Sequence, residues 1–239
     1  MRLYLSLFIV LFFISFSFSQ TSFNYGPTNF DVVKKINVGE KNYRKIFRAS
    51  NLASLDGIIG SPYKNNFFQM GIIYRNNDSV KAFLRYNGLN DEIEIALSKN
   101  ANSSTNAVKK SESISCKIIN DFFVYKEFID ENKFKNKGYL IKVYDGKKYN
   151  LYVRDKKVFK EGEKAKTSLE HGRPPRFIDK QTFFIQYMSY LPKAVRLKYN
   201  KISKLIAKED QSKLAKLKNN FRKISSIDTL ISLISSIDK

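Results

Sequence analysis

A series of short β-type segments, separated by turn-forming clusters, limits this chain to a small set of folds. Between residues 57 and 190 these segments alternate polar with apolar side chains, or are rich in aromatic and β-branched residues, as strands are. Asp145-Gly146 lies between two such segments, and this dipeptide is a strong signal for a tight hairpin turn. Consecutive strands joined by short turns pair in an antiparallel manner. The sequence therefore predicts an antiparallel β meander, either curled or packed as a sandwich.

The expected strands include one acidic segment and are interrupted by one polar stretch. In Glu92–Leu97 the alternation puts the aliphatic side chains on one face and Glu92 and Glu94 on the other, which we expect to be a solvent-facing row. Residues 98–113 contain almost no side chain suited to a core, so we expect a long exposed loop. The other expected strands are Phe67–Tyr74, Val80–Tyr86, Ile114–Ile119, Phe122–Phe128, Tyr139–Tyr144, Lys147–Val153, an edge strand at Lys156–Lys160, and Phe183–Tyr187.

Helical spacing replaces the alternation after Pro192. Apolar residues recur at helical intervals in two stripes, and Ser226 is placed to be the N-cap of a last helix. The sequence thus predicts an α+β protein, with a β-rich domain over residues 57–190 and a small basic helical region over 191–239. The stripe residues are Val195, Tyr199, Ile202 and Ile206, then Leu214, Leu217, Phe221 and Ile224; the last helix carries Leu230, Leu233 or Ile234, and Ile237.

The N-terminus has the layout of a secretory signal peptide. Met1-Arg2 is followed by an apolar run over residues 3–14, and Ser17-Phe18-Ser19 suits cleavage ahead of Gln20. The alternative is a membrane span, but a span needs about 20 apolar residues and this run gives way to serines. We therefore expect residues 1–19 to be removed and the protein to be periplasmic, associated with the outer membrane, or secreted, with no transmembrane span left. Residues 20–56 form a poorly patterned N-terminal segment, with a short helix expected around Tyr43–Leu55.

Positive charge is concentrated near the C-terminus. The chain has 43 Lys plus Arg against 22 Asp plus Glu, but its Lys, Asn, Ile and Phe have AT-rich codons, so codon bias alone explains much of the total. Residues 193–223, however, hold eleven Lys or Arg and only two acids. Such a surface fits anionic lipid, lipopolysaccharide, polysaccharide or an acidic envelope protein, whereas export makes nucleic acid an unfavoured partner. The alternative is a solvated lysine face over a helical packing layer. The candidate binding residues are Arg196, Lys198, Lys201, Lys204 and Lys208.

Two motifs in the first half of the β-rich region carry a family resemblance. The motifs are Gly60-Ser61-Pro62-Tyr63 with Phe67 and Phe68, and Leu84-Arg85-Tyr86-Asn87 with Asn90-Asp91-Glu92-Ile93-Glu94. In these motifs the chain resembles a family of exported proteins from Bacteroidota, over a stretch from about Gly60 to its end. The resemblance implies an envelope location and no particular activity, because the family has no assigned catalytic residues. The chain departs from the family pattern at Lys64-Asn65, where Leu-Asn is usual, and in the insertion over residues 98–113.

The second motif supplies a further candidate site. A ligand-binding role is one interpretation of its polar side chains. The other is architectural, with the guanidinium of Arg85 stacking beside a Tyr and pairing with a carboxylate such as Asp91 to fix the meander. The candidate motif site consists of Arg85, Tyr86, Asn87, Asp91 and Glu92.

Residues with catalytic potential are sparse. His171 is the only histidine and lies in a loop-like segment, so no His-pair metal motif is present and no cofactor is expected. Cys116 is the only cysteine, lies in an apolar run, and is expected to be a buried, unpaired thiol. The sequence favours a non-enzymatic envelope protein that binds or scaffolds a partner. The alternative is a hydrolase or small-ligand binder, which a pocket lined by Asp91, Glu92, Glu94 or His171 would favour.

Overall fold

A computed structural model describes residues 33–35, 57–101, 106–163, 165 and 171–239. The expected signal peptide over residues 1–19 and the short helix expected around Tyr43–Leu55 lie outside the described residues. Within the described residues, eleven strands form one sheet. They are β1 Val33–Lys35, β2 Gln69–Arg75, β3 Asp78–Asn87, β4 Glu92–Ala96, β5 Asn106–Val108, β6 Ile114–Ile118, β7 Asp121–Ile129, β8 Lys135–Asp145, β9 Tyr149–Lys160, β10 Arg176–Tyr187 and β11 Lys193–Val195.

The sheet is a mostly antiparallel meander that curls onto itself. Its strand order is β1-β5-β4-β3-β2-β6-β7-β11-β10-β9-β8, and β8 also pairs with β7. One edge of β7 pairs with β8, whereas the other pairs with β6 near its start and with β11 at Ile129. Strands β7 to β11 therefore form a closed circuit of pairings. Apolar side chains from β7, β8, β9 and β10 meet in one cluster: Phe128, Leu140, Tyr152 and Phe184.

Short helical elements follow the sheet and pack against it, so the expected α+β architecture is confirmed. They are helix α1 Tyr199–Ile202, 3-10 turns at Ser203–Leu205 and Lys208–Asp210, helix α2 Gln211–Leu217 and helix α3 Ile227–Ile237. Ser226 is the N-cap of α3, because its side chain accepts a hydrogen bond from the backbone N–H of Thr229. The apolar face of α3 is buried in a cluster that also contains Tyr149, Leu151 and Ile185 of the sheet: Leu230, Leu233, Ile234 and Ile237.

Two aspartates fasten the helical region to the turn between β8 and β9. The buried carboxylate of Asp210 accepts hydrogen bonds from the hydroxyl of Tyr149 at 3.0 Å and from the ammonium of Lys148 at 3.1 Å. Asp238 accepts from the backbone N–H of Lys148 at 2.8 Å. A Cβ at Gly146 would overlap the Asp238 carboxylate, so glycine is needed there for this close approach.

Two expectations for the first half of the sheet are wrong. Glu94 is only 6% exposed and does not belong to a solvent-facing row. The expected loop over residues 98–113 contains β5, whose Ala107 and Val108 are buried because β5 pairs with β4 and β1. This short segment becomes a strand because the preceding strand β4 and the distant strand β1 both pair with it, although its own sequence pattern does not predict a strand.

Two expectations for the second half need correction as well. Lys156–Lys160 is not a separate edge strand but the end of β9, paired with β10 along Arg176–Lys180. The helical stripe expected from Val195 onwards begins instead with β11, and only Tyr199–Ile202 follows as α-helix before 3-10 turns. The sheet therefore extends past the boundary expected at residue 190.

Candidate functional site

A groove of about 660 Å³ lies between the turn that joins β7 to β8 and the segment that runs from β11 through α1 to the 3-10 turn at Ser203–Leu205. We call it the cationic groove. Its rim carries five exposed cations from three places in the chain: Lys133, Lys193, Arg196, Lys201 and Lys204. Its apolar lining is Ile129, Ala194, Val195 and Leu205, and Asp130 and Glu131 complete the wall.

Pairing between β7 and β11 brings these distant segments together. The backbone N–H of Ile129 donates to the carbonyl of Pro192 at 2.8 Å, and Lys193 is the parallel partner of Ile129. Residues 130–134 therefore begin directly beside β11. As a consequence, Lys133 from the turn and Lys193 from β11 reach the same groove.

The turn itself is fixed by the side chain of Asp130. One carboxylate oxygen accepts hydrogen bonds from the backbone N–H groups of Asn132 and Phe134, each at 2.9 Å. The other accepts from the side-chain amide of Asn136 at 2.8 Å. Lys133 adopts a left-handed backbone conformation with φ of 67°, which lets the chain reverse within these few residues. Both carboxylate oxygens of Asp130 are thus engaged within the turn.

Among the described residues, no ion pair neutralises the positive charge of the groove. Within the part of the chain that the structure describes, none of its five cations has a carboxylate oxygen within 4.0 Å. Glu131 pairs with Lys180 at 3.6 Å, and Lys180 is not part of the groove lining. Five cations against two carboxylates leave the lining with a net positive charge of three. Such a concave cationic surface favours an anionic group.

The structure brings together three of the five basic residues singled out by the sequence. Arg196, Lys201 and Lys204 line the groove, whereas Lys198 and Lys208 are exposed but do not line it. Sequence reasoning missed Lys133 as a partner, because it is more than sixty residues away in the chain. It also passed over Lys193, whose place in a strand was not expected. No local signal identifies either residue, since their meeting depends on the pairing of β7 with β11.

The candidate motif site is occupied by its own side chains. Arg85 donates to the Glu94 carboxylate from Nε at 3.2 Å and from Nη2 at 2.7 Å, and its guanidinium lies over the rings of Tyr63 and Phe68. Asn87 donates to the other oxygen of Glu94 at 2.9 Å. The architectural interpretation of Arg85, which stacks beside a Tyr and pairs with a carboxylate, thus agrees with the structure, but the carboxylate is that of Glu94 and not the suggested Asp91. This buried group joins β3, β4 and the segment before β2.

Asp91 forms a second buried group. Its carboxylate accepts from the hydroxyl of Tyr86 at 2.7 Å and from Nη2 of Arg154 at 3.0 Å. Burial, followed by the charge of Asp91, raises the pKa of the Tyr86 hydroxyl well above its usual value. A Cβ at Gly138 would overlap both Asp91 and Arg154, so glycine is required for this approach. Glu92 is more peripheral and lies 4.0 Å from the ammonium of Lys110.

A second depression of about 290 Å³ lies beside this motif. Arg85 and Tyr86 contribute to its lining, together with Lys64, and the carboxylates of Asp121 and Asp155 lie 2.9 and 2.6 Å from the ammonium of Lys64. Burial opposes the charge on Lys64, but its hydrogen bonds to these carboxylates outweigh that effect and raise its pKa. None of the residues expected to favour a catalytic pocket lines this depression: Asp91, Glu92, Glu94 and His171.

The remaining reactive side chains are placed as expected. Cys116 is buried and unpaired, and burial raises the pKa of its thiol to about 12. A thiol with that pKa stays protonated at neutral pH and is a poor nucleophile. His171 is exposed in a loop.

Comparisons of the chain with protein-family models, with curated proteins and with solved structures found no match. The function is therefore inferred from the geometry and chemistry of the residues described above. Among the described residues, no helix combines the length and the apolar composition that a membrane span requires.

Proposed function

We propose that this protein is exported to the cell envelope and acts there as a non-enzymatic binding module, whose cationic groove holds an anionic group of its partner. The observation that carries the proposal is the convergence of five exposed cations on one concave surface. No carboxylate among the described residues pairs with any of them. The layout of residues 1–19 supports the export part of the proposal.

The chemistry of the rim suits phosphate or carboxylate oxygens. The guanidinium of Arg196 presents paired N–H donors that match such oxygens, whereas the four lysines contribute mobile point charges. At physiological salt the screening length is about 8 Å, so only an anionic group that enters the groove is held strongly. The concave shape therefore gives selectivity that a flat lysine face lacks.

The catalytic alternative has weaker support. The carboxylates of Asp91 and Glu94 hold Arg154 and Arg85 in buried ion pairs, where they are committed to structure. The depression beside them is small, and the donors of Arg85 that face Glu94 are already used. A binding role at the cationic groove uses exposed side chains for which the described part of the chain provides no competing carboxylate partner.

A matched pair of double variants tests the proposal on phosphocellulose, a matrix of immobilised phosphate. Lys201→Gln/Lys204→Gln removes two groove cations, and Lys198→Gln/Lys208→Gln removes two exposed cations that do not line the groove. Both variants lower the net charge equally. We expect the first to elute at clearly lower NaCl concentration than the wild type, and the second to elute close to the wild type. Equal losses would show that net charge alone governs retention, and would contradict the proposal.

The mass of the intact protein tests separately whether the chain is exported and cleaved. Protein recovered from the envelope is expected to lack residues 1–19, since Ser17-Phe18-Ser19 suits cleavage ahead of Gln20. A full-length chain recovered from the cytoplasm would contradict export without bearing on the groove.

A further inference from the structure

The tip of the turn over residues 130–134 carries an exposed aromatic ring beside the cationic groove. Phe134 is 68% exposed, and its neighbour Lys133 lines the groove. The backbone N–H of Phe134 is held by the carboxylate of Asp130, and its carbonyl accepts from the backbone N–H of Asp130 at 2.9 Å. The ring is therefore presented to solvent by a turn that its own hydrogen bonds fix. Exposing so large an apolar side chain to water is unfavourable. An exposed apolar ring next to cations is typical of a surface that contacts a partner with both apolar and anionic groups.

The lining of the groove, like the turn with Phe134 and Lys133, combines apolar and cationic side chains. Its rim is cationic, whereas Ile129, Ala194, Val195 and Leu205 provide an apolar floor. A free phosphate ion or a polysaccharide would use the rim but leave both the floor and Phe134 without an apolar partner. A lipid has both parts, since its phosphate matches the rim and its glycerol and acyl region matches apolar side chains at the interface.

We infer that the anionic group held by the cationic groove is the phosphate of a membrane lipid, and that Phe134 inserts among the lipids beside it. This inference rests on the proposed function and names its partner as an anionic bilayer surface. The five cations of the cationic groove lie at the headgroup level, where an anionic leaflet attracts each of them. Phe134 anchors the turn at the boundary between headgroups and acyl chains. The protein is thereby attached to the surface of a bilayer by one turn and one groove.

Fluorescence offers a direct test, because the chain contains no Trp. Phe134→Trp places a single indole at the tip of the turn, and Phe67→Trp is the matched control, since Phe67 is 67% exposed and does not line the groove. With vesicles of phosphatidylcholine and phosphatidylglycerol, we expect a blue shift of the emission for Phe134→Trp and none for Phe67→Trp. Neither variant is expected to shift with vesicles of phosphatidylcholine alone. No blue shift of Phe134→Trp on the anionic vesicles would overturn the inference.

Sedimentation with the same vesicles gives a second readout. We expect Phe134→Ser to weaken binding to the phosphatidylglycerol vesicles by about tenfold, since the Phe ring no longer leaves water on binding. Phe67→Ser is expected to bind as the wild type does. Circular dichroism checks that both variants are folded. We expect them to be, because both substitutions are at exposed positions.

The phosphocellulose experiment separates the two proposals. Phe134→Ser leaves the groove cations in place, so its elution is expected to match that of the wild type. If retention depends on Lys201 and Lys204 but the anionic vesicles are not bound, the proposed function stands and the lipid inference is wrong. If neither surface is bound through the groove, both fail.

Discussion

At the residue scale, the most informative group is the buried pair of Arg85 and Glu94. Alternation along Glu92–Leu97 correctly predicts that Ile93 and Ile95 lie in the core, but Leu97, expected on the same face, follows the end of β4 and is 79% exposed. It does not say what covers the opposite face. That face is covered by the segment before β2, from which Tyr63 and Phe68 lie against the guanidinium of Arg85. Glu94, which was predicted to face solvent, is buried because this segment before β2 folds over it.

Removing the charge of Glu94 is expected to destabilise the fold strongly. Glu94→Gln leaves the guanidinium of Arg85 buried without a charged partner, and breaking such a pair costs about 3–5 kcal/mol. Glu112→Gln is the control, because Glu112 pairs with Lys137 on the surface at 3.4 Å and exposed pairs contribute about 0–1 kcal/mol. Urea unfolding of both variants measures the difference. Similar small losses in both would contradict a structural role for Arg85 and Glu94, whereas a Glu94→Gln chain that fails to fold would agree with it.

At the scale of elements, sequence signals predict a helix or strand correctly when neighbouring residues alone determine it. Ser226 and the apolar spacing of α3 identify the last helix, because capping and amphipathicity are properties of consecutive residues. The segment from Lys193 to Ile206 shows the opposite case. Its helical spacing is real, yet Lys193–Val195 pairs with β10 and β7 and becomes β11. Pairing with the preceding strand β10 and with the distant strand β7 outweighs the local helical preference of this segment.

The N-cap of α3 provides a prediction at this scale. Ser226→Ala removes the side-chain acceptor for the backbone N–H of Thr229, and loss of such a cap typically costs about 1 kcal/mol. Ser235→Ala, on the exposed side of the same helix, is expected to change the free energy of unfolding by no more than about 0.5 kcal/mol. Thermal or urea unfolding measures both. A larger loss for Ser235→Ala than for Ser226→Ala would contradict the assigned cap.

At the scale of the whole molecule, the meander could be predicted from turns and alternation, but the closure of the curl could not. The circuit closes through a parallel contact between Ile129 and Lys193, which are far apart in the sequence. The cationic groove is a product of that closure. Sequence therefore predicts Arg196, Lys201 and Lys204 as basic candidates, but it does not predict the concave surface that they share with Lys133.

Buried tyrosines make the free energy of unfolding depend on pH in the alkaline range. Burial raises the pKa of Tyr152 to about 12, and it also raises the pKa values of Tyr86, Tyr139 and Tyr149. In the unfolded chain these hydroxyls ionise near pH 10. Their contribution to stability is therefore fully present below about pH 10 and is lost as the pH rises through the folded-state values, by about 1.4 kcal/mol per tyrosine per pH unit.

Two measurements check this dependence. The urea midpoint is expected to stay level up to about pH 10 and to fall steeply between about pH 10 and pH 12. Tyrosinate absorbance of the buried residues is expected to appear together with the loss of the β-sheet circular dichroism signal. Ionisation of all fourteen tyrosines near pH 10 in a chain that stays folded would contradict the burial of these four.

Protection of individual lysines from acetylation tests the central claim most directly, because it uses the wild-type protein and a soluble anion. The protein is labelled with a limiting amount of acetic anhydride, with and without inositol hexakisphosphate, and each lysine is quantified by mass spectrometry. Lys198 and Lys208 are the internal controls, since they are exposed outside the groove. We predict slower acetylation of the groove lysines and unchanged rates at the two controls. Equal protection of all of them, or protection of the controls alone, would contradict a groove that holds an anionic group. The groove lysines are Lys133, Lys193, Lys201 and Lys204.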